Sequence, residues 1–145
     1  MIVTFSVPFV QGKKRPRFFR RGRHTGTYTP EETKQAMADI AKAYESAALQ
    51  KYCHVPKAGK GTPVTVAITT AKPLPKSRPK RIVRESDTYK PDADNTAKLV
   101  LDGLNGVAWE DDAQVTRLHV FKLDRSRFMD HSMTYAMVLW EEVED

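Results

Sequence analysis

The chain has 145 residues, of which 40% are hydrophobic. This is enough apolar surface for one sizeable core, so we expect a single domain spanning residues 1–145. No apolar run approaches the length of a membrane span and the first residues lack the order of a secretory signal, so we expect no membrane segment and a cytoplasmic location. The single cysteine, Cys53, excludes an internal disulfide.

The formal net charge is +6, and the basic residues are segregated along the chain. Residues 11–24 hold seven basic side chains and residues 71–84 hold six, with no acid in either segment, so the remainder carries a net charge of −7. Solubility alone does not require such segregation, whereas gripping a polyanion around an acidic site does. The charge pattern therefore predicts a nucleic acid partner, bound by basic loops at residues 11–27 and 71–90.

The N-terminal segment predicts a strand followed by the first basic loop. Val3, Phe5 and Val7 alternate with polar residues, which is typical of a strand with one buried face. Glycines and Pro16 then interrupt any period, so we expect a long loop, either solvated or stacking its phenylalanines on bases. The side chains expected to bind DNA here are Lys13, Lys14, Arg15, Arg17, Arg20 and Arg21.

A scaffold helix and a second strand follow. Thr29 at the N-cap, Pro30 at the first position and Glu32 completing a capping box predict a helix start, and the apolar repeat continues to about Tyr52. Alternation over Val64 to Thr69 predicts a strand. The proline-rich segment after it predicts a mobile loop, whose expected DNA-binding residues are Lys76, Arg78, Lys80 and Arg81.

The C-terminal half predicts one helix and two strands. Apolar residues recur at helical spacing from Asp94, and Asn105-Gly106 indicates the end of that helix. Residues 115–123 read as a strand, and residues 134–140, apolar on both faces, as a strand that is central or buried at an interface. The order strand, helix, strand, helix, strand, strand predicts an α+β domain with a mixed or antiparallel sheet and two main helices.

Five aspartates fall close together around the second helix. At about 100° per residue, Asp94, Lys98 and Asp102 form one stripe beside its apolar face, and the return turn brings Asp111 and Asp112 towards its start, near Asp92. Carboxylates this close repel unless a cation neutralises them. An oxygen-only cluster favours Mg²⁺ or Mn²⁺, since zinc would want histidine or cysteine.

Each acid taken alone has a simpler interpretation. Asp92 or Asp94 would be an N-cap, Asp94 with Lys98 an ordinary i, i+4 pair, and Asp111-Asp112 a solvated turn. The set together favours the metal site.

The order of these residues resembles the RusA family of Holliday junction resolvases. The pattern is D-x-D-N-x-x-K, then D-x-L, then W-x-D-D-x-Q-V, carried here by Asp92, Asp94, Asn95, Lys98, Asp102, Leu104, Trp109, Asp111, Asp112, Gln114 and Val115. The resemblance is dense over about 25 residues. A lone D-x-D would be far less specific.

The resemblance implies a Mg²⁺-dependent endodeoxyribonuclease that resolves four-way DNA junctions as a homodimer, with Mn²⁺ as a substitute. In the family's pattern Asp92, Asp94, Lys98 and Asp112 form the catalytic set, and the three aspartates hold the metal. Supporting roles fall to Asn95, Asp102 and Asp111. The alternatives are a less selective nuclease of branched or single-stranded DNA and a non-catalytic junction-binding protein.

The expected assembly follows from the substrate. Resolution requires two symmetrical nicks and each chain carries one carboxylate cluster, so a two-fold homodimer is expected. Val138, Leu139 and Trp140 are candidates for its contact, with burial in the monomer core as the alternative.

Overall fold

A four-stranded sheet with two helices packed on one face forms the body of this computed structural model, which describes residues 1–142. The final three residues of the predicted domain lie outside the described part. Strands β1, β4, β6 and β8 form this sheet, β2 pairs with β3, and β5 pairs with β7. The elements in chain order are β1 (Ile2–Val7), β2 (Arg17–Arg21), β3 (His24–Tyr28), α1 (Glu31–Tyr52), β4 (Val64–Ala71), β5 (Arg84–Glu85), α2 (Ala93–Leu104), β6 (Val115–Lys122), β7 (Arg125–Ser126) and β8 (Met133–Leu139).

The sheet is mixed, in the order β1-β8-β4-β6. Strand β8 pairs antiparallel with both β1 and β4, while β4 runs parallel to β6. The crossover between the parallel strands β4 and β6 contains the second basic segment and α2. These observations confirm the α+β class and the central position predicted for the last strand.

The core lies between the sheet and the helices. Strands β1, β4 and β8 bury alternate residues, including Val3, Val66 and Val138, as their period-2 pattern predicts. Helices α1 and α2 approach closely at Gly103, where an added Cβ would lie 3.1 Å from Cγ2 of Ile40. Gly103 therefore serves helix packing, and the turn after α2 uses Gly106, with φ at +80°.

The start of α1 differs from the prediction by one residue. Pro30 is the N-cap, with ψ at 144°, and its carbonyl accepts from the backbone N–H groups of Thr33 and Lys34. Because Pro30 is extended rather than helical, Thr29 lies outside the helix, and the predicted capping box does not form: no side chain caps the helix.

The first basic loop was predicted wrongly as irregular over its whole length. Residues 17–28 form a β-hairpin, with Gly22 at φ +58° in its two-residue turn. Nearly all of its side chains are exposed, so neither strand has the apolar face that makes a strand visible in a sequence.

Two further expectations need correction. The second basic segment is fixed to the body through β5, which pairs with β7, so a wholly mobile loop was the wrong prediction. Val138 and Trp140 are 0% and 3% exposed and belong to the core, which is the alternative expected for them, so neither is available for a dimer contact, whereas Leu139 is 38% exposed. No helix within residues 1–142 is long and apolar enough to span a membrane.

Candidate active site

The return turn after α2 is anchored by a buried tryptophan. Asn105 ends α2, Gly106 donates its N–H to the carbonyl of Trp109 at 2.8 Å, and the Trp109 side chain is completely buried. This anchor fixes the two residues that follow Glu110, namely Asp111 and Asp112, at the surface beside α2. The tryptophan of the sequence pattern therefore positions the carboxylates rather than contacting a ligand.

Hydrogen bonds within the turn set the direction of its two aspartates. Trp109 donates from Nε1 to Oδ1 of Asp112 at 2.7 Å, and Ala113 donates its N–H to Oδ1 of Asp111 at 2.9 Å. Gln114 accepts from the N–H groups of Glu110 and Asp111 and completes a capping box on a short 3₁₀-helix. Asp111 thus caps the 3₁₀-helix through one oxygen and Asp112 is fixed through one oxygen, so each keeps its second oxygen for another partner.

Gln114 also ties the turn to the rest of the protein. Its amide donates to the carbonyls of Gly59 and Thr62 at 2.8 and 3.1 Å, which links the turn to the segment between α1 and β4. The buried amide thus satisfies backbone groups on two segments at once.

Lysines accompany the other three acids. Asp92 is the N-cap residue of α2 and its Oδ2 lies 3.1 Å from Nζ of Lys90, while Asp94, in the first turn, lies 3.8 Å from Lys98. Asp102, one stripe position further, has its Oδ2 2.5 Å from Nζ of Lys13. The predicted stripe of α2 is therefore present, and lysines offset the negative charge along it.

Burial raises the pKa of the Asp112 carboxyl above its ordinary value, and the nearby charges of Asp102 and Asp111 push it in the same direction. The hydrogen bond from Trp109 and the charge of Lys13 act against this rise. Asp102, Asp111, Asp112 and Lys13 therefore share one electrostatic neighbourhood, in which a bound cation would be favourable.

The predicted metal ligands do not form a ready-made cage. Within the described residues 1–142, no group of three carboxylate, imidazole or thiol side chains could hold a metal ion. Asp92 and Asp94 lie at the start of α2, each beside a lysine, while Asp112 lies on the return turn. The assignment of these three as metal ligands stays a prediction.

The first basic segment reaches the site in a way the sequence did not indicate. Lys13 donates its backbone N–H to the carbonyl of Asn95 at 3.1 Å, besides its ion pair with Asp102. An added Cβ at Gly12 would lie 3.0 Å from Cβ of both Asn95 and Pro91. Gly12 is therefore needed for close packing, and Lys13, predicted only to bind DNA, is also part of the acidic site.

A second unpredicted cluster of charged side chains fixes the backbone that precedes Asp92. The Asp87 side chain is 1% exposed and its Oδ1 lies 3.0 Å from Nζ of Lys72 and 3.9 Å from Nζ of Lys122. The same two lysines donate to the carbonyls of Lys90 and Tyr89, at 3.0 and 2.6 Å. Lysines from the ends of β4 and β6 thus fix the chain just before the carboxylates.

The basic residues of the second segment divide into two groups. Arg78 pairs with Glu85 at 3.0 Å, and Arg125 pairs with the same carboxylate, so these charges hold β5 in place. Arg127 donates to the carbonyls of Pro79 and Ile82, which closes the segment against the body. The residues of this segment that are exposed and have no acidic partner within residues 1–142 are Lys76, Lys80, Arg81 and Arg84.

In the first segment, Lys14 pairs with Glu32 of α1. The other predicted DNA-binding residues there are exposed and have no acidic partner in the described part of the chain: Arg15, Arg17, Arg20 and Arg21. Both segments, which precede α2 in the sequence, therefore present uncompensated positive charge to solvent.

Comparison with known proteins adds one match. The family model described as Endodeoxyribonuclease RusA matches residues 8–128, which is most of the chain. The matched span contains both basic segments, α2 and the return turn with Asp112. No curated protein matches the chain.

Proposed function

Because this chain belongs to the RusA family of endodeoxyribonucleases, we propose that it resolves four-way DNA junctions by paired phosphodiester cleavage in recombination and repair. The observation that supports this most directly is the contact of Lys13 with Asp102, which places the start of a basic segment against the carboxylates. Phosphates held by that segment would be presented to the acidic edge of α2. A cytoplasmic location, where such DNA is accessible, belongs to the same proposal.

We include Mg²⁺ in the proposal, held by Asp92, Asp94 and Asp112, with Mn²⁺ able to replace it. The donor set fits this ion, because it consists of carboxylate oxygens and the stretch 90–115 contains no histidine or cysteine. When bound, such an ion activates water and stabilises the oxygen that leaves the phosphate. The lysine side chains beside Asp92 and Asp94 are 83% and 63% exposed, so they can move away from these carboxylates at little cost in free energy.

The chain's own residues would then hold the metal-binding oxygens in place and neutralise charge on the phosphate. Lys98, 3.8 Å from Asp94, is in position to offset charge that develops on the phosphate during cleavage. Trp109 holds one oxygen of Asp112, so the other keeps a fixed direction. Asp102 balances Lys13, and the carbonyl of Asn95 secures the same segment.

The proposed enzyme is a homodimer, because two symmetrical nicks need two acidic sites. The uncovered face of the sheet offers apolar surface for the contact. Phe121 and Tyr135 both lie beside Thr69 in register and are 57% and 44% exposed, and Leu139 of β8 is 38% exposed. Large exposed side chains on one sheet face are typical of an interaction surface.

A competition assay tests the proposal. The chain is incubated with Mg²⁺ and a labelled four-way junction, with unlabelled duplex, single-stranded or junction DNA as competitor. We expect junction DNA to suppress cleavage of the label at far lower concentration than the others. Equal suppression by all three would indicate the less selective nuclease, and junction binding with no cleavage would indicate a binding protein.

A further inference from the structure

The hairpin formed by β2 and β3 carries three exposed aromatic residues that serve no core. Phe18 is 85% exposed, Phe19 is 42% exposed and Tyr28 is 46% exposed. Within the hairpin only Gly26 is half-buried. Exposed aromatics on an element without a buried face cost free energy unless a partner covers them.

Pairing register divides the hairpin into two faces. Arg17 pairs with Tyr28, Phe19 with Gly26 and Arg21 with His24, so these side chains share one face. Phe18 pairs with Thr27 and lies on the opposite face. Phe19 and Tyr28 are therefore neighbours, with ring centroids 6.3 Å apart and planes tilted by 48°.

Glycine at position 26 sets the place of the Phe19 ring. A Cβ added there would lie 2.7 Å from Cζ and 2.8 Å from Cε1 of Phe19, so the ring lies across the glycine. Beside it, Phe19, Tyr28 and Arg21 line an open cavity of about 370 Å³. The cavity has flat aromatic walls and one guanidinium, which is the chemistry that stacks on a nucleobase.

Charge and anchoring favour nucleic acid as the occupant. Residues 11–28 contain no acidic side chain, and Arg17, Arg20, Arg21 and Arg23 lie on the hairpin itself. The hairpin's root is fixed at Lys13, which contacts Asn95 and Asp102. The aromatic cavity therefore lies on an element that is attached to the acidic site through Lys13 and is rich in positive charge.

We propose that the Phe19–Tyr28 cavity binds one unstacked nucleobase at the branch point of the DNA. A base inside continuous duplex has both faces covered by its neighbours, whereas a branch point exposes bases that can leave the stack. The arginines would bind phosphates of any DNA, and the cavity would add selectivity for branched DNA. This inference rests on the proposed function for its substrate, and it adds where that substrate is recognised.

The geometry limits which base is bound. Phe19 lies six positions after Lys13, so its Cα is at most about 21 Å from the Cα of Lys13 when the chain is extended. A stacked strand advances about 3.4 Å per nucleotide. The bound base therefore lies within about six nucleotides of the phosphate at the acidic site.

The test asks whether removing one base and changing one residue have non-additive effects on binding. A series of four-way junctions, each with one abasic position within six nucleotides of the crossover, is titrated in EDTA, so that affinity is measured without cleavage. We expect one position at which base removal weakens binding about tenfold for the native chain and has no effect for Tyr28→Leu. Such a loss corresponds to about 1.4 kcal/mol, within the range for stacking one base on an aromatic ring.

Two further variants make the test specific. Gly26→Ala displaces the Phe19 ring while keeping every charge and every aromatic residue, and we expect it to abolish the same coupling. Phe18→Leu changes the aromatic residue of the opposite face, and we expect it to retain the native coupling. Far-ultraviolet circular dichroism and melting temperatures should be unchanged in all three, since the hairpin lies outside the core.

The results separate this inference from the proposed function. The cavity would be overturned as the base-binding site if base removal weakened binding equally in the native chain and in Tyr28→Leu at every position. A loss of coupling in Phe18→Leu equal to that in Tyr28→Leu would overturn it as well. Coupling in a chain that never cleaves junctions would support the inference and refute the nuclease proposal. Junction cleavage without any coupling would refute the inference alone.

Discussion

Nζ of Lys13 lies 2.5 Å from Oδ2 of Asp102, and this contact joins the first basic segment to the acidic edge of α2. The backbone of Lys13 also donates to Asn95, so the contact does not depend on one flexible side chain. Lys13 therefore affects both the charge felt by the carboxylates and the path of the chain into the hairpin.

Replacing Lys13 with alanine should weaken junction binding more than replacing Lys14. Each change removes one positive charge, but only Lys13→Ala leaves Asp102 unpaired and facing the DNA phosphates. Two unit charges about 4 Å apart in water interact by about 1 kcal/mol, which predicts an additional loss of about fivefold. Fluorescence anisotropy with a labelled junction measures it, and equal losses in both variants would show that the Asp102 contact has no electrostatic role.

Asp94→Asn should reduce cleavage at least about 100-fold while leaving junction binding equal or tighter. The amide keeps the volume but removes a charge that a cation needs and that DNA phosphates oppose. Single-turnover cleavage and anisotropy measure the two effects. Asp130→Asn, a change of the same kind at an acid 97% exposed and outside the site, serves as the control and should cleave normally. Cleavage by a folded Asp94→Asn variant at the native rate would remove Asp94 from the metal site.

Neutralising Lys80 and Arg81 together should flatten the salt dependence of binding. Each lost phosphate contact lowers the log–log slope by about 0.9, so the pair should lower it by about 1.8. Arg78→Ala is the informative comparison, because Arg78 is engaged by Glu85 and should change the slope less. An unaltered slope in the double variant would mean that this segment does not contact phosphates.

Glu85→Gln should lower the melting temperature at neutral pH, and the difference from the native chain should shrink in acid. The hydrogen bond from Arg125 holds the pKa of Glu85 below its usual value of 4.5, so folding favours the charged carboxylate. That stabilisation is complete above pH 4.5 and is lost as the pH falls through the lower folded pKa. Thermal melts at pH 7 and pH 3 check the sign, and a difference that grows in acid would contradict it.

The proposed dimer contact can be tested by charge. Replacing Phe121 and Tyr135 together with glutamate places four acids across a two-fold contact, so the pair should separate into monomers at micromolar concentration. Phe128→Glu, a change of an exposed aromatic elsewhere, is the control and should remain dimeric. Sedimentation velocity measures both, and a double variant that sediments like the native chain would exclude this face as the contact.

Elements with an apolar face could be predicted from the sequence alone. The alternation of Val3, Phe5 and Val7 and the helical repeat through Val100 and Leu104 each describe one buried surface, and the structure confirms both. Local chemistry also predicted the end of α2 near Leu104 or Asn105 and the turn with Gly106. Burial dictates residue type at these positions, so their pattern is visible in one sequence.

The parts that the sequence did not predict depend on contacts between distant residues. The hairpin has no buried face, so its pattern resembles a loop. The contacts of Lys13 with Asp102, and of Asp87 with Lys72 and Lys122, join residues far apart in the chain. From the sequence alone, charged residues of this kind are predicted to be exposed to solvent, because their partners are identified only in the folded chain.

Cleavage of a synthetic four-way junction with and without Mg²⁺, mapped on all four strands at nucleotide resolution, tests the central claim most directly. The account predicts nicks only with Mg²⁺, placed symmetrically on two opposing strands and absent from the Asp94→Asn variant. Nicks that persist in EDTA or in that variant, or that scatter along the arms of the junction, would contradict the account.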